Sequence, residues 1–97
     1  MFEVLYSAKA DAKLTAMGRD RSAAKKLRKV MKTLALISQD PSYPSLQSHP
    51  YTSLKSSDGK TVWDSYVENN TPSAWRIFWW YGPEDGQITI LSIGPHP

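Results

Sequence analysis

The sequence predicts an α+β domain of order β-α-α-β-β-β, a two-helix hairpin packed on an antiparallel sheet. Three observations carry this. Residues 2–7, FEVLYS, place Phe2, Val4 and Tyr6 on one side of an extended chain, the period of a half-buried strand. Residues 8–38 hold apolar positions at helical spacing, interrupted once by GRDR. The last third holds three runs rich in aromatic and β-branched residues, separated by turn-forming stretches.

Each element follows in order. Ser7 can cap a short helix, AKADAKLTAM, that Gly18 ends. A longer helix starts near Ser22, where Ala23, Leu27, Val30, Met31, Leu34 and Ile37 form its apolar stripe. The short link between them makes a helical hairpin. Residues 39–61 contain three prolines, many serines and no clean period, which describes a loop long enough to be functional or mobile. The strand VWDSYVE, 62–68, and the strand AWRIFWWYG, 74–82, flank NNTPS and form a hairpin. PEDGQ turns into the last strand, ITILSI, 88–93, which runs into GPHP.

Ninety-seven residues make a single domain, 1–97, with one modest core, and 40% hydrophobic content with four tryptophans suffices to build it. No apolar run reaches the ~18 residues of a membrane span, and the first residues show no secretory leader. With no cysteine, disulfides and thiolate chemistry are excluded. A cytoplasmic protein is the simplest expectation. The charge is uneven: residues 1–38 carry nine Lys and Arg against three acids, whereas 39–97 carry three against six. Lys25, Lys26, Arg28, Lys29 and Lys32 lie on the second helix, either as a solvated surface or as a face for a polyanion or an acidic partner.

Pairing Glu68 with Ala74 across the turn sets Tyr66 opposite Arg76 and Asp64 opposite Phe78. Trp63, Ser65, Val67, Trp75, Ile77, Trp79 and Tyr81 then share the face expected under the helices. Asp64, Tyr66, Glu68, Arg76, Phe78 and Trp80 share the other. Aromatics for base stacking beside an arginine for phosphate suit a nucleic-acid surface, with Tyr66 and Trp80 as stacking groups. The alternative is a solvated face on which Arg76 pairs with Asp64 or Glu68. Two histidines with no clustered partner are a poor metal-ligand set, and no cofactor is called for.

The element order, the WRIFWWY strand and the final IGPH resemble the RelE/ParE superfamily of toxins from type II toxin–antitoxin modules. In RelE-like members the penultimate strand often reads aromatic-Arg-aliphatic, as Trp75-Arg76-Ile77 does, and the last strand ends in Ile/Val-Gly-x-basic, which His96 satisfies. Within that superfamily the chain looks most similar to the YafQ-like branch: Gly94 and His96, His49-Pro50 and Asp64 resemble its motifs, while Tyr66 stands where it often has a histidine. The resemblance implies a ribosome-dependent mRNA endonuclease, with mRNA and the ribosome as partners and a cognate antitoxin protein as inhibitor.

Metal-independent RNA cleavage needs the 2′-OH deprotonated, the phosphorane charge stabilised and the 5′-oxygen protonated. Imidazole exchanges protons near neutral pH, and a guanidinium holds two phosphate oxygens. His96, with a proline on each side restricting its backbone, is therefore expected as general acid, His49 or Asp64 as base, and Arg76 as transition-state clamp. Two further readings stay open: a ParE-like toxin that binds a topoisomerase, and an inactive relative that binds RNA or protein.

Overall fold

A computed structural model of the chain describes residues 1–56, 58–69 and 73–95. Among these, the order is β1 (Glu3–Tyr6), α1 (Ala8–Gly18), α2 (Ala24–Gln39), β2 (His49–Lys55), β3 (Thr61–Tyr66), β4 (Trp75–Tyr81) and β5 (Gln87–Pro95). The α+β class and the two helices on one sheet agree with expectation. Three features differ from it.

The sheet has five strands in the order β1-β5-β4-β3-β2, and it is mixed, because β1 runs parallel to β5 while every other pair is antiparallel. The stretch read as one long loop contains a short 3₁₀ turn, Pro44–Leu46, and the edge strand β2. Its pattern was invisible because most of its side chains are exposed, so no alternation marks it. An edge position also tolerates Pro50, which has no N–H for a second neighbour. Finally, the strand reached Tyr66 rather than Glu68, with consequences described below.

Ser7 caps α1 by accepting from the Ala10 amide at 3.0 Å. Asp20 receives the Ser22 amide at 2.9 Å and starts the 3₁₀ turn Arg21–Ala23 that leads into α2. The helices cover one sheet face, where Ala10, Met17, Val30, Leu34 and Ile37 pack on Ile77, Trp79, Ile88, Ile90 and Ile93. Ile88, Ile90 and Ile93 break strict alternation. The β4–β5 register runs Phe78↔Ser92 and then Trp79↔Ile90, so Leu91 is the extra residue of a bulge that returns Ile93 to the core face. Ser7 supports this bulge as well: its hydroxyl donates to the Leu91 carbonyl at 2.7 Å.

The second sheet face is more buried than expected. Phe78 and Trp80, read as exposed aromatics, are 3% and 7% accessible. Tyr51 of β2 meets Phe78 of β4 with ring centroids 5.0 Å apart, and Val62 in the strand between them is fully buried. The Lys60 ammonium lies 5.5 Å from the Trp80 ring centroid, and Gly82 packs against the same ring.

Candidate active site

The expected β3–β4 register is observed: Asp64 lies opposite Phe78 and Tyr66 opposite Arg76. Strand β2 then adds His49 opposite Asp64, and β5 adds Gly94 opposite Arg76. Four side chains consequently meet on the face away from the helices. Arg76 Nη1 donates to both Asp64 oxygens, at 3.3 and 3.2 Å. His49 Nε2 lies 3.5 Å from Asp64 Oδ2. The guanidinium carbon of Arg76 stacks 3.6 Å from the Tyr66 ring centroid, and the His49 ring meets Tyr66 edge-on at 6.0 Å.

Accessibility sorts their roles. Asp64 is fully enclosed and the Arg76 side chain is 15% exposed, whereas that of His49 is 45% exposed. An enclosed carboxylate suits holding its neighbours rather than meeting a substrate hydroxyl. Only His49 of the three offers a titratable group to solvent. Among the described residues, Arg76 Nε is buried with no hydrogen-bond partner.

A polar chain fixes where β2 begins. Trp79 Nε1 donates to Ser65 Oγ at 2.8 Å. Ser65 and Ser48 hydroxyls are 2.7 Å apart, and Ser48 donates to the Pro41 carbonyl at 2.7 Å. Each hydroxyl has one proton. Since Ser48 commits its own to Pro41, Ser65 must donate to Ser48, and the chain runs one way from the core indole to the loop. It ties residue 48, just before His49, to residue 65, just after Asp64. Sequence reading placed Ser65 on the buried face but missed this role. A small hydroxyl facing the same interior as a tryptophan was the available signal.

The other expected residues are distributed as follows. Glu68, assigned to the face of Asp64, instead faces α2: the amides of Val67 and Glu68 both donate to the Trp75 carbonyl, which rotates Glu68 off the alternation. There Lys26 approaches it at 2.7 Å and Lys29 at 3.4 Å. The Lys26 hydrogen bond is the chief reason the Glu68 carboxyl sits below its ordinary range; burial opposes it, and the Trp75 amide and Lys29 reinforce it. Lys26 also lies 5.0 Å from the Trp75 ring centroid. Lys25, Arg28, Lys29 and Lys32 are exposed. Lys29, Lys32, Tyr66 and Glu68 line a cavity of about 390 Å³ between α2 and the end of β3, which connects the basic helix to the cluster. Trp80 is buried beneath Lys60 and offers no open ring face. His96 lies outside the described residues; β5 is described as far as Gly94 and Pro95, opposite Arg76 and Trp75. Among the described residues, no three His, Cys, Asp or Glu side chains cluster as metal donors would. No described helix is long and apolar enough to cross a membrane.

No protein-family model and no curated protein sequence matches the chain. Solved structures do. A YoeB/ParE toxin from Agrobacterium tumefaciens superposes with a TM-score of 0.71 at 9% identity, covering 98% of this chain and 99% of that one. The intact E. coli RelBE toxin–antitoxin complex gives 0.65 at 8% identity, covering 100% and 99%. A YafQ mutant from E. coli gives 0.62 at 16% identity, covering 99% and 96%. At these identities the likeness is one of fold, and it spans the whole domain: the chain has the RelE-like toxin fold.

Proposed function

We propose that this chain is the toxin of a type II toxin–antitoxin module and acts as a ribosome-dependent mRNA endonuclease. The observation that carries the proposal is the meeting of His49, Asp64, Tyr66 and Arg76 on one sheet face, beside the end of β5. The fold it shares with YoeB, RelE and YafQ toxins supports the same reading.

In this mechanism His49 takes the proton of the 2′-OH, whose oxygen attacks the adjacent phosphorus. Arg76 stabilises the charge that develops on the phosphoryl oxygens, and His96 protonates the departing 5′-oxygen. Asp64 holds Arg76 from beneath and faces the Nε2 of His49 that receives the proton. Of the two candidate bases, exposure favours His49 over the enclosed Asp64. Tyr66, with the Arg76 guanidinium over its ring and the His49 ring at an angle beside it, supplies the surface on which a base flanking the scissile phosphate stacks. The lysines of α2 take RNA phosphates along the cavity leading to Tyr66, and a cognate antitoxin bearing acidic side chains covers the same segment.

The test is a ribosome-based translation reaction programmed with one mRNA, to which the purified protein is added. Arrest with cut mRNA is expected. Arg76→Lys, His49→Ala and His96→Ala should each slow cleavage by on the order of 100-fold or more. Lysine is the informative change at position 76, because it retains a cation for the buried Asp64 carboxylate while giving up the planar fork. Intact mRNA in the presence of folded wild-type protein would overturn the proposal, and a block in DNA replication when the protein is expressed in cells would then favour topoisomerase binding.

A further inference from the structure

Gln47 stands out in the backbone. It has φ 48° and ψ 40°, the left-handed region, and among the described residues only Ser73 is another non-glycine residue with positive φ. Nothing in a glutamine side chain favours this conformation, unlike glycine or asparagine. Strain of this kind concentrates at sites where a geometry is functional. Its effect here is to end the 3₁₀ turn Pro44–Leu46 and bring the Gln47 carbonyl to 2.8 Å from His49 Nδ1.

A carbonyl oxygen can only accept, so Nδ1 carries a proton. The neutral ring therefore has its single lone pair on Nε2, the nitrogen 3.5 Å from Asp64 Oδ2. From this we infer that Gln47 is a positioning residue: its left-handed turn locks His49 in the Nδ1–H tautomer, so that Nε2, the nitrogen facing Asp64, is the one that exchanges protons. The inference deepens the nuclease reading and rests on it for its catalytic meaning. In the step concerned, the 2′-O–H bond breaks and an Nε2–H bond forms. The oxygen's electron pair goes to phosphorus, and the ring's new positive charge faces Asp64. The described groups around the ring are Asp64 and Tyr66 from β3 and Arg76 from β4 beyond Asp64, with Lys29 and Lys32 of α2 across the cavity from Tyr66. Ser48, held by Ser65 and Pro41, keeps the segment between Gln47 and His49 from drifting.

The experiment is nitrogen NMR of the imidazole rings in the labelled full-length protein, at a pH where the rings are neutral, with His96→Ala used to assign the signals. The expected spectrum for His49 is a pyrrole-type Nδ1 and a pyridine-type Nε2. Gln47→Asn and Gln47→Gly, which enter the left-handed region readily, should keep it. Gln47→Val, β-branched and poorly tolerated there, should mix in the other tautomer and lower kcat about tenfold with KM little changed. A wild-type ring protonated on Nε2 overturns the inference, and so does a folded Gln47→Val protein with the wild-type tautomer and kcat. Should Gln47→Val not fold, the wild-type, Asn and Gly spectra still decide. The ring spectrum needs no RNA, so the expected tautomer without mRNA cleavage refutes only the nuclease reading. Cleavage by a protein with the Nε2–H tautomer refutes only this inference.

Discussion

Replacing Ser65 with alanine removes the acceptor of the Trp79 indole N–H, and both residues are fully buried. No rotation of the fixed indole can find water in that position. The change therefore costs more than an average hydrogen bond: a buried donor left unsatisfied is worth about 1–3 kcal/mol. Taking roughly 2 kcal/mol, and a sensitivity of about 4–8 °C per kcal/mol for a domain of this size, the melting temperature should fall by roughly 8–16 °C. Ser48→Ala supplies the comparison. It removes the acceptor of the Ser65 hydroxyl and the donor to the Pro41 carbonyl, leaves the Trp79–Ser65 bond in place, and lies where water can enter to replace the lost hydroxyl, since Ser48 is only half-buried. Its cost should stay below about 1 kcal/mol. Thermal and urea unfolding of the three proteins measure both values. The reasoning fails if Ser65→Ala melts within about 2 °C of wild type (under ~0.5 kcal/mol at that sensitivity), or if Ser48→Ala proves the more damaging of the two.

Three other outcomes follow from the same geometry. Ser7→Ala loses both the α1 cap and the bond to the bulged Leu91 carbonyl, and should destabilise by about 2 kcal/mol in denaturant titration. Gly82→Ala would place a Cβ 2.3 Å from the Trp80 ring at φ +142°, a clash and a strained backbone together; a loss of roughly 2–4 kcal/mol is expected, with a change in the near-ultraviolet tryptophan signal. Because Glu68 has a lowered pKa when folded, it adds stability above the ordinary glutamate value of 4.5 and loses it as the pH drops through the folded value. Glu68→Gln should therefore flatten the fall of melting temperature below about pH 4.5 and cost less than about 1 kcal/mol at neutral pH, since its lysine partners are partly exposed. An acid limb identical to that of wild type would remove Glu68 from the account.

Much of the site's framework was legible in the chain. The NNTPS turn and the alternation on either side of it set the β3–β4 register, so the pairing of Tyr66 with Arg76 and the shared face of Asp64 and Arg76 could be read directly. The Arg76–Asp64 pair itself was one of two open alternatives, and it forms. What escaped notice has identifiable causes. Strand β2 hides in a proline- and serine-rich stretch because it is held by ladder bonds to β3 rather than by a buried stripe of its own. Burial of Phe78 and Trp80 depends on Tyr51 and Lys60, which come from segments with no readable period. Glu68 leaves its expected face because two amides share one carbonyl, a bulge that no residue type announces.

Residue periodicity, caps and turn composition are local quantities, and by themselves they determined two helices, the β3–β4 hairpin and a last strand leading to Gly94. The parallel union of β1 with β5 could only come from the folded chain. It is held in part by Ser7 reaching a carbonyl 84 residues away, and no window of sequence contains both ends of that bond. The same holds for the left-handed turn at Gln47 that brings a carbonyl to His49, and for the edge strand that carries His49 to Asp64. Long-range pairing, which trades chain entropy for contacts between distant segments, decided which charged groups would share a surface.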